Sequence, residues 1–284
     1  MPAIPASAYL ADPAPLFSST SLPATPSVPF RLHFTGLSDI GRVRRRNEDS
    51  FALDPDLGIA IVADGMGGHP AGDVASQVAC GYAAQHLRAL LSASLLESTT
   101  PPLGRAMSEA VVGAHEAVRA RSAREPGLDG MGTTLTALVA DVATGDWVIG
   151  HAGDSRAYLL RHGSFRQLTR DDTWVQQRVE AEQLTPEQAR RHRYGHILVQ
   201  CLGLEDAPVP QVMSGSLREG DVFMLCTDGL TGALEDEILA DALRAHAHGA
   251  GAPADIEGAA RTLVATALDR GATDNVTAVL LAVS

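Results

Sequence analysis

The sequence predicts an α+β fold in which antiparallel sheets are covered by helical layers, and two observations carry that expectation. Apolar runs of strand length are mostly joined by tight-turn signals, and segments with three- and four-residue apolar spacing come in pairs between them. A doubly wound parallel sheet would need a helix after nearly every strand instead. With 284 residues and 45% apolar content, the chain can build a substantial core.

Seven of the sixteen prolines lie in residues 1–29, mixed with Ala and Ser, so this stretch reads as a flexible tail and the folded domain, 30–284, starts near Phe30. "GIAIVADG" (58–65) reads as a buried strand ending in a turn pair. Pro70 opens a helical stretch through "AGDVASQVACGYAAQHLRALLSAS", and a second helix covers 105–124. Residues 133–169 read as a strand meander with turns at "ATGD" and "RHGS". From about 170 to 200 the chain becomes polar and helical, with Pro186 as an interior breaker, and is expected to form a flap over the sheet. Strands return in "PQVMSGSL" and "DVFMLCTDG"; helices follow at 235–247 and 255–270, and "DNVTAVLLAV" closes the chain.

Composition removes several chemistries. The net charge of −12 argues against a nucleic-acid partner, because acidic surfaces repel phosphate backbones. All 22 basic Lys/Arg positions are Arg, so a lysine Schiff base and a P-loop clamp are excluded and only arginine can grip an anion. Cys80, Cys201 and Cys226 form no C-x-x-C pair and read as buried free thiols of a reducing compartment. No apolar run reaches the roughly 18 residues of a membrane span, and the first basic residue is Arg31, so a cytoplasmic chain without a membrane anchor is expected. His192 and His196 stand one helical turn apart in "HRYGH", but Arg193 occupies the place of the glutamate in a zinc H-E-x-x-H site. The other histidines are expected at the surface.

Four aspartates recur at strand ends: Asp64 after "GIAIVA", Asp154 after "WVIGHAG", Asp228 after "VFMLCT", and Asp274 before the last strand. An Asp-Gly pair after one strand is an ordinary turn signal. Together the four imply more, because like charges about 4 Å apart repel by roughly 4 kcal/mol per pair near a protein surface. Converging carboxylates need a cation, and an all-oxygen set favours Mg²⁺ or Mn²⁺ over zinc. Phosphate chemistry is the natural use of such metals beside arginine. No cysteine has an arginine six positions later, "DPDLG" (54–58) has Gly58 where an aspartyl-phosphate motif wants Thr or Val, and neither a G-x-S-x-G elbow nor a Walker loop occurs.

The blocks "SDIGRVRRRNEDSF", "IVADGMGGHPAGDVAS", "GMGTTLTAL", "GHAGDSRAYLLRHG", "LTRDDTWVQQ", "FMLCTDGLT" and "GATDNVTAVLL" resemble, in order and spacing, the metal-dependent protein phosphatases of the protein phosphatase 2C family in their bacterial serine/threonine form. The resemblance spans about residue 32 to the C-terminus. It implies a four-layer α-β-β-α sandwich, two antiparallel sheets flanked by helix pairs, with two Mn²⁺ or Mg²⁺ ions at one end. By the same resemblance Asp49, Asp64, Asp228 and Asp274 hold the metals, Gly65 offers its carbonyl, and Glu48 orients water. Asp154, shared with Asp228, serves a third metal, and Arg44 grips phosphate, which would explain why "RRRNED" crowds opposite charges together.

The implied reaction is in-line attack of a metal-bridging hydroxide on phosphoserine or phosphothreonine in proteins, opposing a serine/threonine kinase on that kinase's substrates, with a monomer as the default state. Other readings of the fold are a non-catalytic regulatory binding module and a dedicated switch phosphatase for one regulatory protein. Met66 replaces the histidine that animal relatives use toward the leaving group, so the general acid is unassigned; His69 lies nearby in sequence. The flap's "HRYGHIL" has Arg193 where the family usually has proline.

Overall fold

A computed structural model of the chain describes residues 30–66, 71–97, 102–247 and 254–284; the expected tail and His69 lie outside them. The chain enters through β1 (Leu32–Asp39), β2 (Asp49–Asp54) and β3 (Ile59–Met66), then two long helices, α1 (Gly72–Glu97) and α2 (Leu103–Ser122). The meander follows as β4 (Gly132–Thr133), β5 (Leu135–Asp141), β6 (Asp146–Ala152), β7 (Arg156–Arg161) and β8 (Ser164–Gln167). Two short helices, α3 (Trp174–Glu180) and α4 (Pro186–Arg190), occupy the polar stretch read as a flap. Then come β9 (Gln211–Ser216), β10 (Val222–Cys226), α5 (Asp228–Ala233), α6 (Asp236–His246), α7 (Ile256–Asp269) and β11 (Val276–Val283).

Two antiparallel sheets result, ordered β1-β11-β10-β7-β8 and β2-β3-β5-β6-β9, with β4 paired to β3. The strand sequences explain the layering. In β3, Ile59, Ile61 and Ala63 pack outward under α1 and α2, while Ala60 and Val62 face the opposite sheet. In β11, Ala278, Leu280 and Ala282 pack under α6 and α7, while Val279, Leu281 and Val283 face inward. Because side chains alternate across a strand, a strand covered on both faces must be apolar throughout, and these runs are. Each such Val, Leu, Ile or Phe stabilises the fold by roughly 1.5–3 kcal/mol when fully buried. Trp147 and Phe223 meet edge to face across the two sheets with ring centroids 5.6 Å apart.

Some expectations are corrected. Pro186 does not interrupt a helix; it opens α4, where Thr185 and Gln188 form a capping box. The short α5 carried too few residues to show a helical period. His115 and His151 are buried rather than exposed, His151 completely. The three cysteines are free and buried, as expected. Among the described residues no helix is long and apolar enough to cross a membrane.

Candidate active site

Asp49 and Asp64 face each other as direct partners in the β2–β3 ladder, at the end of the sandwich where β10 and β11 also bring their aspartates. Asp49 is held by a relay of hydroxyls. Asn47 Nδ2 donates to Ser38 Oγ (2.7 Å), which lies 2.7 Å from Thr277 Oγ1, and Thr277 Oγ1 donates to Asp49 Oδ2 at 2.6 Å. Thr227 Oγ1 donates to the same oxygen at 2.8 Å. Since Thr277 lies in β11 and Thr227 directly follows β10, this β2 carboxylate is clamped by the opposite sheet.

The electrostatics follow from the crowding. Burial first, then the charges of Asp228 and Asp274, raise the Asp49 carboxyl to about 7 against the pull of its two threonines. Burial and the charges of Asp228, Asp49 and Asp154 hold Asp64 well above the ordinary carboxylate range. Asp154 is raised in the same way by burial, Asp228 and Asp171. Burial and then Asp274 raise Asp228, which Arg44 and Arg156 partly offset. Asp64 and Asp228 approach closely enough to share a hydrogen bond. Glu48 is raised by burial and pulled back by Arg44.

Asp49, Asp64, Asp154, Asp228 and Asp274 therefore lie near enough to feel one another, and each keeps part of its surface open to solvent. Among the described residues no three His, Cys, Asp or Glu side chains gather closely enough to enclose an ion unaided. The donor set nevertheless fits a hard divalent cation: it is all oxygen, mutually repelling and inclined to keep protons that a cation could displace. Such ions also keep several waters, so side chains need not complete the shell. Gly65 adds a backbone carbonyl at the end of β3. A Cβ there would run into the carbonyl oxygens of Gly72 and Glu48, so only glycine allows α1 to approach this closely.

Arg44 is the guanidinium bonded to the rim: its Nη2 donates to Asp274 Oδ2 at 2.7 Å, a bond that raises its own basicity against some burial. The segment that carries it is not simply extended. It turns at Gly41 (φ 78°), which packs on the Asp274 carbonyl. Arg45 and Arg46 are exposed, with Arg46 4.0 Å from Asp73.

Sequence reasoning missed the residue that fixes this segment. Asn275 is 3% exposed; its Nδ2 donates to the carbonyls of Ile40 and Arg46, both at 2.9 Å, and its Oδ1 accepts from Glu48 N at 2.8 Å. Thr134 was missed as well: its Oγ1 accepts Asp64 N–H at 2.9 Å. The "DN" that precedes β11 was the available signal, since a buried amide beside a rim carboxylate must find partners.

A family model described as protein phosphatase 2C matches residues 41–269. The serine/threonine protein phosphatase PstP of Mycobacterium tuberculosis is 36% identical over 251 residues, covering 88% of this chain and 44% of that protein. The serine/threonine phosphatase stp of Listeria welshimeri is 33% identical over 256 residues, covering 88% of this chain and 95% of that protein. The chain thus spans less than half the length of the mycobacterial relative. The crystal structure of M. tuberculosis PstP/Ppp superimposes with a TM-score of 0.77 at 35% identity, covering 88% of this chain and 98% of that one. The PstP catalytic domain in complex with two manganese ions gives 0.75 at 34% identity, covering 89% and 99%.

Proposed function

The chain belongs to the protein phosphatase 2C family, and from that premise we propose that it is a Mn²⁺- or Mg²⁺-dependent phosphatase of phosphoserine and phosphothreonine in proteins. The observation that carries the reading is the convergence of five aspartates, far apart in the chain, at one rim beside a guanidinium. The manganese-bound relative supports the metal assignment.

In this reading Asp49, Asp64, Asp228, Asp274 and the Gly65 carbonyl hold a pair of divalent cations, Glu48 orients water, and Asp154 with Asp228 takes up a third. Bound there, the cations supply activated water and offset charge on the phosphoryl oxygens. The protein supplies the rest. Thr227 and Thr277 fix the Asp49 carboxylate before substrate arrives, so little reorganisation accompanies the reaction. Arg44 spends one N–H on Asp274, and a guanidinium has five, so phosphate oxygens can be gripped without surrendering that bond. Asn275 keeps Arg44, Glu48 and Asp49 in one geometry. Met66 has no proton to give, so no side chain at its position can act as general acid.

Substrates are phosphorylated proteins of a serine/threonine kinase, met in the cytoplasm by a monomer whose residues 30–284 form the catalytic domain and whose first 29 form a tail. Turnover of p-nitrophenyl phosphate and of a phosphothreonine peptide, with and without Mn²⁺, tests the proposal. Asp228→Ala should abolish nearly all turnover and Arg44→Ala should mainly raise KM; equal activity in all three proteins rejects the assignment. Mn²⁺ binding without any turnover would favour a regulatory binding module.

A further inference from the structure

Among the described residues two carboxylates are buried outright, Asp221 and Asp172. Asp221 is answered by charge: Arg161 Nε and Nη2 each donate to it at 2.6 Å. Asp172 is answered less directly: Arg170 Nη2 makes a long ion pair with Oδ1 at 3.7 Å, from a half-exposed side chain, and the hydrogen bonds come from neutral groups. Gly153 N–H donates to Oδ2 at 3.1 Å, while Gln211 Nε2 at 2.9 Å and Gln200 Nε2 at 3.2 Å share Oδ1.

A buried carboxylate hydrogen-bonded only by neutral donors, with one long ion pair to a half-exposed arginine, gains little over an amide, so stability alone does not explain the residue. Its connections suggest another reason. Asp172 N donates to Gly153 O at 2.7 Å, and Val199 N donates to Asp172 O at 2.8 Å. Trp174 N donates to Ile197 O at 2.8 Å, and Thr173 bridges Leu198. The two ends of the flap are thereby closed on each other and on the loop between β6 and β7. His151 Nε2 donates to Arg170 O at 3.2 Å and Gln211 Nε2 to the same oxygen at 2.8 Å, so the flap's first residue is pinned as well.

That loop carries Asp154. Gly153 adopts φ 115°, and a Cβ there would strike Thr134, whose hydroxyl accepts Asp64 N–H and lies 2.7 Å from Ser155 Oγ. The backbone on either side of Asp154 therefore has little room to shift. We propose that Asp172 is a positioning residue that clasps both flap ends to Gly153 and so fixes the backbone from which Asp154 reaches the metal rim. The proposal rests on the phosphatase reading for its chemistry, not for its geometry.

The decisive variant is Asp172→Asn. An amide has one acceptor oxygen where the carboxylate has two, so either Gly153 N–H or the glutamine amides lose their partner. Removing outer partners of metal ligands typically weakens metal affinity 10–100-fold. The Mn²⁺ concentration for half-maximal p-nitrophenyl phosphate turnover should rise at least about tenfold in Asp172→Asn. Maximal turnover at saturating Mn²⁺ should fall far less, and hydrogen exchange at the Gly153 and Val199 amides should accelerate together. A folded variant whose half-saturating Mn²⁺ stays within about twofold of the parent overturns the proposal. If Asp172→Asn does not fold, Gln200→Met removes the flap-end arm, together with the bond Gln200 Oε1 accepts from Val209 N at 2.8 Å, and should raise the value measurably; an unchanged value is equally fatal. Should the parent show no Mn²⁺-dependent turnover, the phosphatase reading fails, and the clasp is judged by exchange alone: Gly153 protection must be lost in the variant.

Discussion

Replacing Asn275 with alanine should cripple the rim without touching any rim carboxylate. The side chain makes three hydrogen bonds, to Ile40 O, Arg46 O and Glu48 N, from a position almost closed to solvent. At a net value of about 1 kcal/mol each, their loss costs about 3 kcal/mol. For a domain of this size that lowers the melting temperature by roughly 6–12 °C. The three contacts span residues 40–48, which include Arg44 and Glu48 and lead directly into Asp49. Displacing reacting groups by an ångström can cost on the order of a hundredfold in rate, so turnover should fall by at least about tenfold below the melting point. Thermal unfolding and p-nitrophenyl phosphate kinetics on Asn275→Ala check both parts. An unchanged melting temperature would refute the hydrogen-bond reasoning, and a lowered one with parental turnover would refute the link to the rim.

The protonation pattern predicts that chelator-treated protein loses stability as pH rises. Asp49, Asp64, Asp154 and Asp228 hold protons more tightly folded than unfolded, so their contribution is full below the ordinary carboxylate range and is lost progressively as pH rises above it, in the case of Asp49 up to about 7. The chelated melting temperature should drop between pH 5 and pH 8, and added Mn²⁺ should restore more at pH 8 than at pH 5; a chelated protein equally stable at both values contradicts this. Gly65→Ala should destabilise by more than about 2 kcal/mol, read by urea unfolding, because the new methyl meets two backbone carbonyls that cannot retreat. Asp221→Ala removes the buried partner of the partly exposed Arg161 guanidinium, which keeps only Ser216 O, and should cost about 1.5–3 kcal/mol while leaving turnover per folded molecule unchanged.

The layers were legible in the sequence because β3 and β11 are covered on both faces and are apolar at every core position. β1 and β2 were not, since each is only partly buried along its length and alternation is blurred there. At the rim the aspartates were visible as repeated strand punctuation. Their supports were not: Thr227, Thr277 and Asn275 act through contacts across more than 170 positions of chain, as in the Thr227–Asp49 bond. The polar, helical character of 170–200 was legible, but the hydrogen bonds that Asp172 makes there could not be seen, because Gln200 and Gln211 meet that carboxylate only after the chain has folded.

Calorimetric titration of Mn²⁺ into the metal-free protein, beside Asp64→Asn and Asp228→Asn, bears most directly on whether separate aspartates form one cation site. The parent should take up a pair of ions per chain, and each substitution should remove at least one of them together with nearly all phosphatase turnover. Parental uptake in both variants, or none in the parent, would contradict the account.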